Sequence, residues 1–305
     1  MLDGQTRNKT AMQLRPQRRP AMPFEDMALG KTVLEVSDLI PRMFAKCQTA
    51  QTLGARKALG LPIAAALKDE LRREVLHDHL VKLRMAFAGQ FGLTPQAPPT
   101  GWATDANVVA TAVFGPAGAP PKTPDDLDAF MQSDHLVGQV LHKIDQCFDP
   151  GEAVSGHLPE LRRSNGMRVA AVENSVAGRH SLHPVMRHLA ETRGRGPLWR
   201  VAGRLYDVAA CLTDRLPLVV SHNAGSSAVP AAHGTILFSA QTEAGRVTHF
   251  TRVTPTDHLL APDGVLERAL ASLPAVKERL ADLVVDILDP DTPIRLVSEP
   301  VVATT

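Results

Sequence analysis

Apolar residues recur at every fourth position through Ile63, Leu67, Leu71 and Val75, and His79 falls in line with them. Lys68, Asp69, Glu70, Arg72 and Arg73 occupy the positions between. This periodicity predicts an amphipathic helix, the clearest in the chain. Before it, Val33, Leu34, Val36, Leu39 and Ile40 supply an apolar face that Pro41 either ends or restarts, and a second helical stretch spans residues 43–59. Prolines break the pattern over 94–122, leaving a Val-rich segment at 108–114 that reads as a short strand or a buried loop. Thr123-Pro124-Asp125-Asp126 then combines a hydroxyl cap, a first-turn proline and acids facing the helix dipole, so helix resumes and runs to residue 147.

Two further helices follow His183-Pro184 and Gly196-Pro197, the second with Leu198, Val201, Leu205, Val208 and Leu212 on one side. Beyond Pro217 the period shortens. Residues 218–220, 235–239 and 247–253 read as strands, with Glu243-Ala244-Gly245 as a hairpin turn between the last two. Helices at 263–273 and 274–288 and an irregular tail at 289–305 close the chain. The fold class is α+β, mostly helical with a small antiparallel sheet in the C-terminal third. Residues 1–28 lack apolar periodicity and carry Arg7, Lys9, Arg15, Arg18 and Arg19, the composition of a disordered basic tail, so residues 29–305 form the single folded domain.

Charge narrows the function classes. With 33 basic and 32 acidic side chains the net charge is +1, and only 4% of residues are aromatic, so neither phosphate attraction nor base stacking favours nucleic acid. No apolar run reaches the ~20 residues of a membrane helix, and no apolar region follows Arg18-Arg19 as an export signal requires. Cys47, Cys147 and Cys211 are widely spaced and odd in number, which fits a reducing compartment. The expected location is the cytoplasm.

Local chemistry is sparse. His180, His183 and His188 lack the i, i+4 pairing of a helical zinc motif, and His77 and His79 face different sides of one helix. Ser221-His222-Asn223 and Gly225-Ser226-Ser227 contain no nucleophile elbow, and no phosphate-binding glycine loop is present.

Four short stretches carry more. Pro41-Arg42-Met43-Phe44-Ala45-Lys46-Cys47-Gln48-Thr49-Ala50-Gln51 resembles the R-x-C-G-x-C-x-x-x-H metal motif of nickel-iron hydrogenase large subunits. His233-Gly234-Thr235-Ile236, the Val253-Thr254-Pro255-Thr256 segment with Gly264-x-x-Glu267-x-Ala269-Leu270, and Asp289-Pro290 then follow in that family's order. By this resemblance the cysteine positions hold Phe44, Cys47, Asp291 and Ile294, and the histidine positions hold Gln51 and Val297. A nickel-iron centre draws on four soft thiolates, and one remains. Positions 44, 47 and 51 have the i, i+3, i+7 spacing of one helix face, which would point at Asp291 and Ile294 in a former metal pocket partly filled with hydrocarbon.

A large-subunit-like fold with degenerate cysteine motifs resembles the HupK class of hydrogenase accessory proteins. This implies a non-catalytic, cytoplasmic maturation factor with no stable cofactor, a scaffold that transiently holds an iron-cyanide-carbonyl fragment. Its partners would be maturation chaperones and the hydrogenase large subunit. Cys47 is the implied iron anchor, with Gln51, His233 and Asp291 as companion binding residues. Plainer roles compete at each: buried packing for Cys47, an ordinary glutamine, a satisfied histidine, and a turn at Asp291. The rival function is a catalytically dead structural subunit in a stable complex.

Overall fold

A computed structural model describes residues 12–17, 23–216 and 225–300. The first strand, β1 (Met12–Gln17), pairs antiparallel with the last, β5 (Arg295–Pro300), so two segments read as tails meet each other. Helix α1 (Phe24–Ala28) also lies ahead of the expected start, because Phe24 is buried edge-on against Phe44 and Phe250. Helix α2 (Val33–Met43) opens with a Thr32–Glu35 capping box and contains Pro41 in its last turn rather than at a boundary. The expected 43–59 helix is interrupted: α2 ends at Phe44, and α3 (Gln48–Ala58) begins after Cys47, whose φ of 52° turns the chain.

Helix α4 (Ala65–Val81) follows the fourfold repeat and continues through a π-helical turn (Lys82–Ala86) into α5 (Phe87–Gln90). The Val-rich segment is helix α6 (Ala106–Phe114). The Asp105 carboxylate accepts from the Asn107 and Val108 amides, and this cap with tertiary packing overrides the β-branched composition. Thr123 caps α7 (Pro124–Met131) as expected, and α8 (Leu136–Cys147) follows after a break. Short α9 (Val176–Arg179) and α10 (Pro184–Thr192) flank α11 (Pro197–Leu212), the central helix, which is buried along nearly its whole length and meets α4, α6, α8, α9, α10 and α14 (Ala281–Leu288).

The main sheet has the order β2–β3–β4, with β2 (Ser226–Ala231), β3 (Gly234–Glu243) and β4 (Arg246–Val253) all antiparallel. Ala244 and Gly245, with φ of 49° and 75°, make the tight turn expected between β3 and β4. The strand read at 218–220 and the Ser221-His222-Asn223 segment lie outside the described residues. Helices α12 (Pro255–Leu259), α13 (Val265–Ala271) and α14 complete the chain, and residues 275–280, expected as part of the last helix, form a separate 3₁₀ segment.

One apolar core joins α1–α11 to the main sheet. A second, under α12–α14, takes in Leu14, Ile294 and Leu296. Helix α3 lies against β2 and β3 at Gly54, where an added Cβ would stand 2.2 Å from Cε2 of buried Phe238. Gly54→Ala should therefore destabilise the protein by about 1–3 kcal/mol through overpacking, read as a lower urea midpoint at unchanged slope.

Candidate functional site

The first and last motifs meet, as their resemblance implies. Lys46 Nζ donates to the Pro290 carbonyl at 3.2 Å, and the Asp291 amide donates to Thr256 Oγ1 at 2.8 Å, tying the Asp-Pro turn to the Val-x-Pro-Thr segment. Cys47 is half-buried at the bend between α2 and α3. It has no side-chain capping role, because Glu74 on α4 accepts from the Thr49 and Ala50 amides at 2.7 and 3.1 Å.

His233 sits in the two-residue turn between β2 and β3 rather than in a strand, buried, with Nδ1 2.8 Å from Asp289 Oδ2. Burial alone would depress its pKa. Hydrogen bonds to Asp289 and to Cys47 outweigh burial and push it up to about 10, so the ring is an imidazolium at neutral pH. Asp289 ends α14 with a φ of 53°. Burial opposes its ionisation, but His233, Arg204 and Lys82 hold it far below the usual carboxylate range. Arg204 Nη2 and Lys82 Nζ lie 2.7 and 2.8 Å from its two oxygens.

From Arg204 the polar chain continues through the core. Arg204 Nη1 donates to His79 Nδ1 at 2.9 Å, which leaves the His79 Nε2 proton for Asp207 Oδ2 at 2.8 Å. His79 is thereby fixed as one neutral tautomer, and burial lowers its pKa. Asp207 also accepts from Arg179 Nη1 at 2.7 Å and pairs with His180 Nε2 at 2.7 Å. These partners overcome its burial and keep it ionised. Arg200, Arg204 and Asp207 share α11 at i, i+4 and i+7, a polar stripe that the apolar pattern of that helix conceals.

The expected site residues divide into two groups. Phe44 is not on the helix of Cys47 and Gln51, since the left-handed bend separates them, yet Phe44 and Gln51 converge on one group. The Arg252 guanidinium lies 3.9 Å from the Phe44 ring centroid, and its Nη1 donates to Gln51 Oε1 at 3.2 Å. Of the surrounding carboxylates, Asp291 acts most strongly on Arg252. Ile294 does not face Cys47; it packs in the second core, and Val297 pairs with Arg15 across the β1–β5 ladder.

His180, His183 and His188 do not assemble: His180 serves Asp207, while His183 stacks on Tyr206 with centroids 4.1 Å apart. His77 stacks on Trp102, separate from buried His79. Among the described residues, Asp78, His233 and Asp289 bring potential ligand atoms within 4.8 Å of one another. Arg204 and Lys82 already neutralise these acids, so the cluster is an ion-pair network rather than a cation cavity.

Compared with known proteins, the chain is 45% identical over 269 residues to the hydrogenase expression/formation protein HupK of Rhodobacter capsulatus, covering 88% of this chain and 87% of that protein. The chain belongs to the HupK family. No protein-family model matches it. In structure it is similar to the nickel-iron-selenium hydrogenase of Desulfovibrio vulgaris Hildenborough at 12% identity, covering 89% and 91% of the two chains with a TM-score of 0.54. It is also similar to an NAD+-reducing nickel-iron hydrogenase at 14% identity, covering 88% and 90% with a TM-score of 0.54. The fold is that of nickel-iron hydrogenase large subunits. The donor set does not fit that fold's metal centre: Phe44 and Ile294 offer no ligand atom, Asp291 is a hard donor, and a guanidinium stands against Phe44 and Gln51. No helix among the described residues is long and apolar enough to cross a membrane.

Two outcomes follow from this HupK-family geometry. Asp207→Ala strips His79, Arg179 and His180 of the buried carboxylate they share and should cost about 3–5 kcal/mol in chemical denaturation. The His233 contribution is fully present below its unfolded pKa of 6.5 and is lost as pH rises towards about 10. The wild-type urea midpoint should therefore fall more steeply across that range than the midpoint of His233→Asn.

Proposed function

We propose that this chain is a non-catalytic assembly factor for nickel-iron hydrogenase, acting in the cytoplasm as a transient scaffold. Its cargo is an iron-cyanide-carbonyl fragment, held at Cys47 on its way to the large subunit, with maturation chaperones as the proteins that deliver or collect it. The observation that carries this reading is the placement of Cys47. The thiol is half-exposed at a backbone bend and beside the imidazolium of His233, while the other positions of the metal motif hold groups unsuited to a stable nickel-iron centre. A single soft donor suits temporary retention, and a neighbouring positive charge complements the anionic cyanide ligands of such a cargo. The kinship with a hydrogenase formation protein and the large-subunit fold support the same reading.

The test is hydrogenase activity in a strain whose only copy of this protein carries Cys47→Ser, with abundance checked by immunoblot. Maturation should fall sharply, while the stability cost stays within the ordinary ~0.5–3 kcal/mol of a point mutation. Cys147→Ser, at the end of α8, should leave maturation unchanged. Normal activity with Cys47→Ser at wild-type abundance would remove Cys47 as the anchor.

A further inference from the structure

Arg252 stands one residue before the end of β4, where its backbone amide donates to Glu25 Oε1 at 3.0 Å. Its guanidinium covers the Phe44 ring and donates to Gln51, and the carboxylates of Asp291, Asp257 and Glu25 act on its charge. Phe44, Gln51 and Asp291 come from three separate segments, yet one side chain engages them all. Gln51 is buried on the turn of α3 that follows Cys47, and its backbone N–H donates to the Cys47 carbonyl at 2.9 Å.

We infer that Arg252 is the resident cation of this pocket and determines its specificity, keeping divalent metal ions away from the donors Cys47, Gln51 and Asp291. The guanidinium occupies the Gln51 oxygen and neutralises the nearby acids, so an entering divalent ion meets repulsion instead of attraction. In a half-buried site, water screens that repulsion weakly. The aromatic ring holds the guanidinium through its π-face while offering no donor to a competing metal. Arginine is also the suitable cation for permanent occupancy: burial lowers its pKa, but the side chain stays charged throughout the working range. The exclusion therefore acts against free divalent ions generally, and it rests on the scaffold reading and extends it, because such ions would otherwise compete with the cargo for the same thiol.

The test uses the full chain, anaerobic and reduced, titrated with cobalt(II), whose thiolate charge-transfer absorption reports ligation by cysteine. Wild type and Arg252→Lys, which keeps the charge, should show no saturable band. Arg252→Met should give a saturable band approaching one cobalt per chain, and Cys47→Ser should abolish it in the double variant. If Arg252→Met fails to fold by circular dichroism, Arg252→Gln replaces it with the same expectation. A folded charge-removed variant without the band would overturn the inference, as would wild-type protein that binds one cobalt per chain through Cys47. Because cobalt binding is read on the isolated chain, failure here is distinct from failure of the maturation assay.

Discussion

Asp289 is the residue on which the arrangement of the site depends. It ends α14 in a left-handed conformation and places one buried carboxylate against Lys82 beyond α4, Arg204 in α11 and His233 at the tip of the β2–β3 turn. These three partners come from parts of the chain that share no local structure. A charge on any of them would be costly to bury alone, and around Asp289 each satisfies the others. The His233 proton follows from this contact, and so does the positive character of the pocket beside Cys47.

The second carboxylate, Asp207, extends the constraint. His79 accepts from Arg204 through one ring nitrogen and donates to Asp207 through the other, so the two ion clusters are joined by a ring with a fixed tautomer. Such buried pairs add little net stability compared with apolar packing, but removing one member is expensive. Their effect here is to fix the register of α4, α9, α11 and the sheet turn around a single pocket. Arg179 shows this directly: it binds Asp207 with one nitrogen and the Ala231 and Gly234 carbonyls with the other.

Much of the fold was legible in the pattern of residues, because helices such as α4 bury one stripe and turn residues punctuate the sheet. The fourfold repeat located α4, the Thr123 cap located α7, and Glu243-Ala244-Gly245 located the β3–β4 hairpin. Local propensity failed where tertiary contacts decide. The Val-rich segment became α6, and β1 forms against β5 nearly the whole chain away. Strand β2 begins in the Gly225-Ser226-Ser227 stretch, whose small polar residues give no alternating signal. In the candidate site, Cys47, Gln51 and Asp291 were proposed through motif resemblance, and His233 through its place in the motif order. Asp289 was quoted only as part of a dipeptide, and Arg204, Asp207 and Arg252 were missed. The signal for the α11 pair was present as polar residues at helical spacing within an otherwise apolar helix. Arg252 offered none, because its meaning depends on Phe44 and Gln51 approaching from another segment.

The pocket thus keeps the framework of a metal site while exchanging what fills it. Losing thiolates alone would leave a void lined by Asp291 and Gln51, with polar groups short of partners. Phe44 and Arg252 together remove that defect, the ring supplying volume and the guanidinium supplying charge and a hydrogen bond. Cys47 stays outside this repair. It borders the imidazolium of His233, and its half-exposed position at the bend leaves one soft donor accessible from solvent. The same substitutions that disqualify a resident nickel-iron centre therefore leave a guanidinium, a ring and an amide in mutual contact, with a half-exposed thiol at the bend before Gln51.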